Sequence, residues 1–349
     1  MESVVLRNSE IFIPRPDARA SLALHITTLP PEILAEIFLD FLPRYPGFPP
    51  CTGRLSPLLL CRICREWRMV ALSTPTLWRA ISVDFFVNDT DGLVIQKLEL
   101  LENWVSRSGN CPLSVSIRIS CPMDPLLLDR LLHAVMSHCE RWQHVTLHIP
   151  SSCMHLLQGE MPRLRDLNFG PTNYSRTYDG PLTLFDRAPQ LRTLVLTKNF
   201  LTSNLRLPWT QITHLESACL YEHECLEILS EAAHFIRFSV IVYPDLSNFS
   251  VVEAIPVRPH FCDLALLVDD DEEDWDCKIL DRLTLPALRT LQVSELSITL
   301  ESLKAFMSRS QCTLLELRIT HATLPESAFR DVLPTFGAII LENAVDANE

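Results

Sequence analysis

Residues 162–169 read PRLRDLNF, and the phrase returns as PQLRTLVL at 189–196 and as PALRTLQV at 286–293. Beneath it lies a looser template, apolar-x-x-apolar-x-apolar. The template fits at Trp142/Val145/Leu147, Leu164/Leu167/Phe169, Leu191/Leu194/Leu196 and Ile212/Leu215, the last with Ser217 in its third slot. It fits again at Phe235/Phe238/Val240, Phe261/Leu264/Leu266, Leu288/Leu291/Val293 and Leu314/Leu317/Ile319. Successive first positions lie 22, 27, 21, 23, 26, 27 and 26 residues apart.

This spacing falls in the leucine-rich-repeat range, in which each unit buries its apolar side only by stacking on the next. It predicts an irregular solenoid over residues 81–340, a parallel sheet with helices, of α+β to α/β class. Side chains alternate across a strand, so the residues between template positions face outward. The outward set expected to meet a target is His144, His148, Asp166, Asn168, Thr193, His214, Glu216, Arg237, Asp263, Gln292, Glu316 and Arg318, with Thr146, Val195, Thr197, Ser239 and Thr290 beside them. Two plainer readings stand alongside: an α/β domain whose strands share a generic apolar phrase, and polar strand faces that are solvated and bind nothing. Upstream of the repeats, ISVDFF and CPLSVSIRIS alternate as strands do, and LVIQKLELLENWVSRS between them has helical periodicity and is closed by Gly109.

Before the first strand, residues 29–42 read LPPEILAEIFLDFL, and residues 56–81 read SPLLLCRICREWRMVALSTPTLWRAI. Pro30 and Pro31 suit a first helical turn, Glu32 meets the positive end of the helix dipole, and Ile33, Leu34, Ile37, Phe38 and Phe41 form an apolar stripe that Pro43 ends. Ser56-Pro57 caps a second helix. Leu60, Ile63, Cys64, Trp67 and Ala71 recur in it at helical spacing, and Thr74-Pro75 stops it before Leu77 and Trp78.

The composite of Leu-Pro-x-Glu-Ile-Leu, Cys-x-x-Trp-Arg and Leu-Trp resembles an F-box over about fifty residues. It is similar above all to the F-box-like form of the large fungal families, whose members carry leucine-rich tails in which Pro-x-Leu phrases like those above are typical. The resemblance implies a helical domain over residues 25–80 that docks a small Skp-type adaptor, and through it a cullin–RING ubiquitin ligase. The contact residues would be Leu29, Pro30, Glu32, Ile33, Leu34, Ile37, Phe38, Cys64, Trp67, Leu77 and Trp78. The implied function is that of a substrate-recognition subunit, the repeats holding a target protein. The insert from Leu42 to Leu55, with Pro43, Pro46, Pro49 and Pro50, is longer than the usual F-box link. It keeps open a protein-interaction scaffold with a degenerate F-box, or a helical cap that packs only internally. Of the asparagines that usually follow a repeat strand, Asn199 is the one good match.

At 349 residues, 47% hydrophobic and 21% charged, the chain has the material for a large core and the prior of about two domains. Its net charge of −13 argues against non-specific nucleic-acid binding, whose footprint is basic. Twelve cysteines are scattered singly, and the start MESVVLRNSE has no long apolar core. Free thiols in a cytoplasmic or nuclear protein are expected, with no membrane span. Residues 1–24 read as a loose leader and 341–349 as a polar tail. The run DDDEEDWD, Asp269 to Asp276, reads as a solvated loop, or else as a dock for a basic partner around Trp275.

No catalytic motif emerges. Gly47 and Gly53 are followed by Arg54 and build no phosphate loop, and neither G-x-G-x-x-G nor G-x-S-x-G occurs. His223-Glu224 opens like a zinc-protease helix but places Glu227 where the second histidine belongs. Cys61 and Cys64 lack a second ligand pair, and His144 with His148 lack a third. No cofactor, metal or enzymatic activity is expected.

Overall fold

The computed structural model describes residues 29–172, 184–197, 205–245, 255–269, 275–332 and 337–342. The expected leader, Asn199, the centre of the acidic run and residues 343–349 of the tail lie outside these.

The chain enters through α1 (Pro31–Phe41), which starts at the proline pair and stops before Pro43 as expected. After the insert comes α2 (Pro57–Ile63), capped by the Ser56 hydroxyl, which accepts the Leu58 N–H. The single helix expected from Ser56 to Ser73 is in fact two. Cys64 adopts φ −152°, ψ 174° and becomes the N-cap of α3 (Arg65–Ser73), its Sγ accepting the Trp67 N–H at 3.4 Å. Arg68 repairs the break by donating Nε–H to the freed Cys61 carbonyl at 2.7 Å. A thiol in capping geometry and a well-placed guanidinium thus outweigh an unbroken apolar period.

A short 3-10 turn, Pro75–Trp78, leads into β1 (Ala80–Phe85). From there eleven strands run parallel and in chain order. They continue as β2 (Leu113–Ile119), β3 (Trp142–Ile149), β4 (Asp166–Pro171), β5 (Thr193–Leu196), β6 (His214–Tyr221), β7 (Arg237–Tyr243), β8 (Asp263–Leu267), β9 (Thr290–Ser294), β10 (Glu316–Thr320) and β11 (Ala338–Glu342). Parallel neighbours require crossovers. These carry α4 (Asp91–Arg107), α5 (Pro125–Met136), α6 (Glu222–Glu231), α7 (Ile279–Arg282), α8 (Leu300–Ser310) and α9 (Glu326–Val332), with 3-10 turns between β3 and β6. Gly109 closes α4 at φ +55°, a left-handed position that glycine takes without strain.

The repeat template is the core. Val145, Leu167, Leu194, Leu215, Phe238, Leu264, Leu291 and Leu317 stand side by side in register across eight strands, all buried. Burying each such side chain stabilises the fold by roughly 1.5–3 kcal/mol. The pattern also begins two strands earlier than the sequence phrase suggests. Trp78/Ile81/Val83 fits the template, and Ile81 and Val83 pair with Val115 and Ile117 of β2. In β2 the phrase is one residue shorter, and the register shifts at Leu113/Ser114.

A second regularity lies in the main chain. At the entrances of six consecutive strands, β5 to β10, the carbonyl after the first template residue of one unit accepts two successive amides of the next. Arg165 O takes Arg192 N–H and Thr193 N–H at 2.8 and 3.0 Å, and the carbonyls of Arg192, Thr213, Ile236, Cys262 and Arg289 repeat the arrangement. Guanidiniums tie helix ends to neighbouring units: buried Arg258 donates to Leu229 O and Ser230 O, and the more exposed Arg309 to Leu280 O and Leu283 O. All twelve cysteines are free thiols.

Candidate functional site

Two surfaces stand out, one on the helices and one on the sheet. On α1, Leu34 and Phe38 point inward and are 3% and 1% exposed, whereas Ile33 and Ile37 are 48% and 41% exposed. The apolar stripe is wider than the module can cover. Ile63 on α2 and Met69 and Leu72 on α3 are exposed as well.

Of the residues expected to touch an adaptor, Pro30, Glu32, Ile33 and Ile37 are accessible, and Leu29, Cys64 and Trp67 are half-buried. Trp67 packs its ring 4.9 Å from Phe38. Leu34, Phe38, Leu77 and Trp78 are buried within the chain itself. Trp78 is the joint of the molecule. Its ring meets Trp104 of α4 edge-on at 4.9 Å, its Nε1–H donates to Ala71 O at 2.8 Å, and the Arg107 guanidinium lies 4.7 Å above it.

The insert from Leu42 to Leu55 has a definite seat. Cys51 Sγ donates to Ser82 O on β1, Ser114 Oγ on β2 donates to Pro46 O at 2.9 Å, and the Tyr45 hydroxyl donates to Gln143 Oε1 on β3 at 3.0 Å. The Tyr45 ring stands edge-on to His144 at 5.3 Å, with the Arg79 guanidinium 4.2 Å from its centre. Burial pushes the Tyr45 hydroxyl up to about 12, against the opposing pull of Arg79 and Arg165. The insert therefore straps the first three strands on their outward side.

Beyond the strap, the outward residues form two rungs along the open face. The first runs His144, Asp166, Thr193, His214, Arg237, Asp263, Thr290, Glu316; the second runs Thr146, Asn168, Val195, Glu216, Ser239, Ala265, Gln292, Arg318. The expected target set is thus gathered on one surface, with His148 one rung further on. Much of its charge is already engaged. His144 Nδ1 lies 2.5 Å from Asp166, His148 binds Asn168 at 2.7 Å, and Arg318 reaches both Glu316 and Glu342. Burial alone would raise the Asp166 carboxyl, but hydrogen bonds from His144 and Thr193 carry it below the usual carboxylate range. Thr197 stands on this face too. It is half-exposed there, with its Oγ1 turned down against Gly170, where a Cβ would collide with it, and without a hydrogen-bond partner among the described residues.

The remaining candidates are occupied structurally. His223 is held by Asp245 at 2.6 Å, and Glu224 caps α6 by accepting the Tyr221 N–H. The ends of the acidic run are tied down: Asp269 accepts the Tyr243 hydroxyl at 2.6 Å, and half-buried Trp275 packs on the core while its main-chain N–H donates to Leu296 O. Residues 270–274 lie outside the described residues. Among the described residues, no three His, Cys, Asp or Glu side chains are grouped as a metal site would need, and no helix is long and apolar enough to cross a membrane.

Sequence reasoning missed Tyr45, Arg79 and Trp104, because their partners are tens of residues away and no local pattern marks such a contact. No family model matches this chain, and no curated protein matches it in sequence.

Proposed function

We propose that this protein is a substrate-recognition subunit of a Skp–cullin–F-box type ubiquitin ligase. The observation that carries the reading is the second apolar face of α1. Ile33 and Ile37 stand in water at positions of the Leu-Pro-x-Glu-Ile-Leu phrase and its continuation, where the resemblance requires an adaptor contact. Exposed apolar side chains gathered in one small module mark a surface that something else covers. The open face of the sheet would hold the target. Catalysis is then positional: the target's lysine is kept near the ubiquitin-charged enzyme, and effective concentration accelerates transfer without a catalytic residue in this chain.

The test is co-purification of the full chain with a Skp-type adaptor, beside the variant Ile33→Asp/Ile37→Asp. These residues are chosen because Leu34, being core, would report folding rather than docking. A stoichiometric complex that is lost in the variant, with circular dichroism unchanged, is the expected result. Failure of the folded wild-type chain to bind would overturn the ligase role and leave an interaction scaffold.

A further inference from the structure

Between β5 and β9 the open face sinks into a hollow of about 420 Å³. Its floor is the second rung, where Ser239 and Ala265 stand between the longer Glu216 and Gln292. Neighbouring strands are about 4.8 Å apart, so two small side chains flanked by two long ones leave room for one inserted side chain. The Ala265 methyl is the apolar part of that floor. Charge in the hollow is uneven. Arg237 is balanced by Asp263 at 3.8 Å, with both partly open to water. Glu216 is exposed and has neither ion pair nor hydrogen bond among the described residues. Elsewhere on this face Asp166 and Glu316 are already engaged, so Glu216 is its unmatched carboxylate.

We infer that this hollow receives an arginine or lysine side chain presented by an extended segment of a partner protein. Its charge pairs with Glu216 and its aliphatic stem lies over Ala265. Long basic side chains suit such a site, because the stem packs on apolar floor while the head stays at the rim. An incoming carboxylate would meet an arginine that is already neutralised and a glutamate that repels it. The chain's net charge of −13 steers a basic segment toward it at low salt. The inference rests on the open face being the target surface, and it names the chemistry of that target.

The test uses the full-length chain and an array of short extended peptides with a fixed central arginine and random neutral flanks, with matched arrays carrying citrulline or glutamate at the centre. Arginine peptides should be retained, and should bind about tenfold more weakly when citrulline replaces arginine or when Glu216→Gln is introduced. Glu216→Lys, or Ser239→Trp to fill the hollow, should abolish retention. Glu231→Lys, at the end of α6 and off the face, should leave it unchanged. Equal binding of arginine and citrulline, preference for glutamate, insensitivity to Glu216→Lys, or no retention at all would overturn the proposal. Adaptor capture is read on the same preparations. Loss of peptide binding with the adaptor complex intact fails this inference alone, and the converse fails only the adaptor reading.

Discussion

Seven of the seventeen large apolar side chains that stand exposed among the described residues, Ile33, Ile37, Phe48, Leu55, Ile63, Met69 and Leu72, fall within residues 29–78. In the sheet, by contrast, every apolar template residue from Trp142 to Ile319 is buried. Both regions have helices and both are rich in leucine and isoleucine, so composition does not separate them. The difference lies in partners. Each strand of the sheet finds another unit beside it, whereas α1 is covered on one side only. Apolar surface left uncovered in one small module, next to a sheet that leaves none of its template exposed, is a local property and not a sign of general looseness.

The sharpest way to break this comparison is Trp78→Ala. This residue belongs to both regions, as the end of the helical module and the first template position of β1. Removing it should cost about 3–5 kcal/mol, read by urea unfolding. A single transition shifted downward means that the two regions melt together; two separate transitions would show that the module opens on its own. Next comes Gly170→Ala, which forces a methyl against Thr197 within the sheet. Overpacking of this kind costs about 1–3 kcal/mol, and a neutral result would mean that Thr197 turns away freely.

A smaller effect concerns the open face. The Asp166 carboxyl is depressed in the folded chain, so the stability it contributes is present above its unfolded value of about 3.9 and is lost as pH falls through the lower folded value. Asp166→Asn should therefore lose less melting temperature than the wild type between about pH 5 and pH 3. Parallel curves would show that the His144 contact adds nothing. Smallest of all is Ile37→Ser, which should change stability by no more than about 0.5 kcal/mol. A large loss would mean that the outer face of α1 is packed after all, and the contrast between the two regions would disappear.

The parallel repeat was legible because its signal is strictly local: three apolar positions per strand, spaced so that alternation buries them. The helix boundaries at Pro31, Ser56 and Gly109 were legible for the same reason, each being set by one residue's backbone chemistry. The break at Cys64 was not, since the apolar period runs straight through it and only the thiol cap and Arg68 reveal it. The seat of the insert was also hidden, because Tyr45 meets Gln143 across 98 positions. The outward residues could be named from alternation. Which of them are neutralised and which stand free, as Glu216 does, depends on neighbours one strand away and emerges only from the register.

The paired amides at the entrances of β5 to β10 reach further than holding one unit to the next. Alignment here is enforced by atoms that every residue except proline supplies, so the side chains at these positions are released from the task. Arginine, threonine, isoleucine and cysteine all occupy the same structural slot. A lineage built this way can rewrite its rim and its open face almost without constraint while the architecture persists, and resemblance between cousins would then fade from the letters long before it fades from the shape. Proline at Arg192 or Thr193 is the substitution such drift must avoid, because it removes an amide from the ladder.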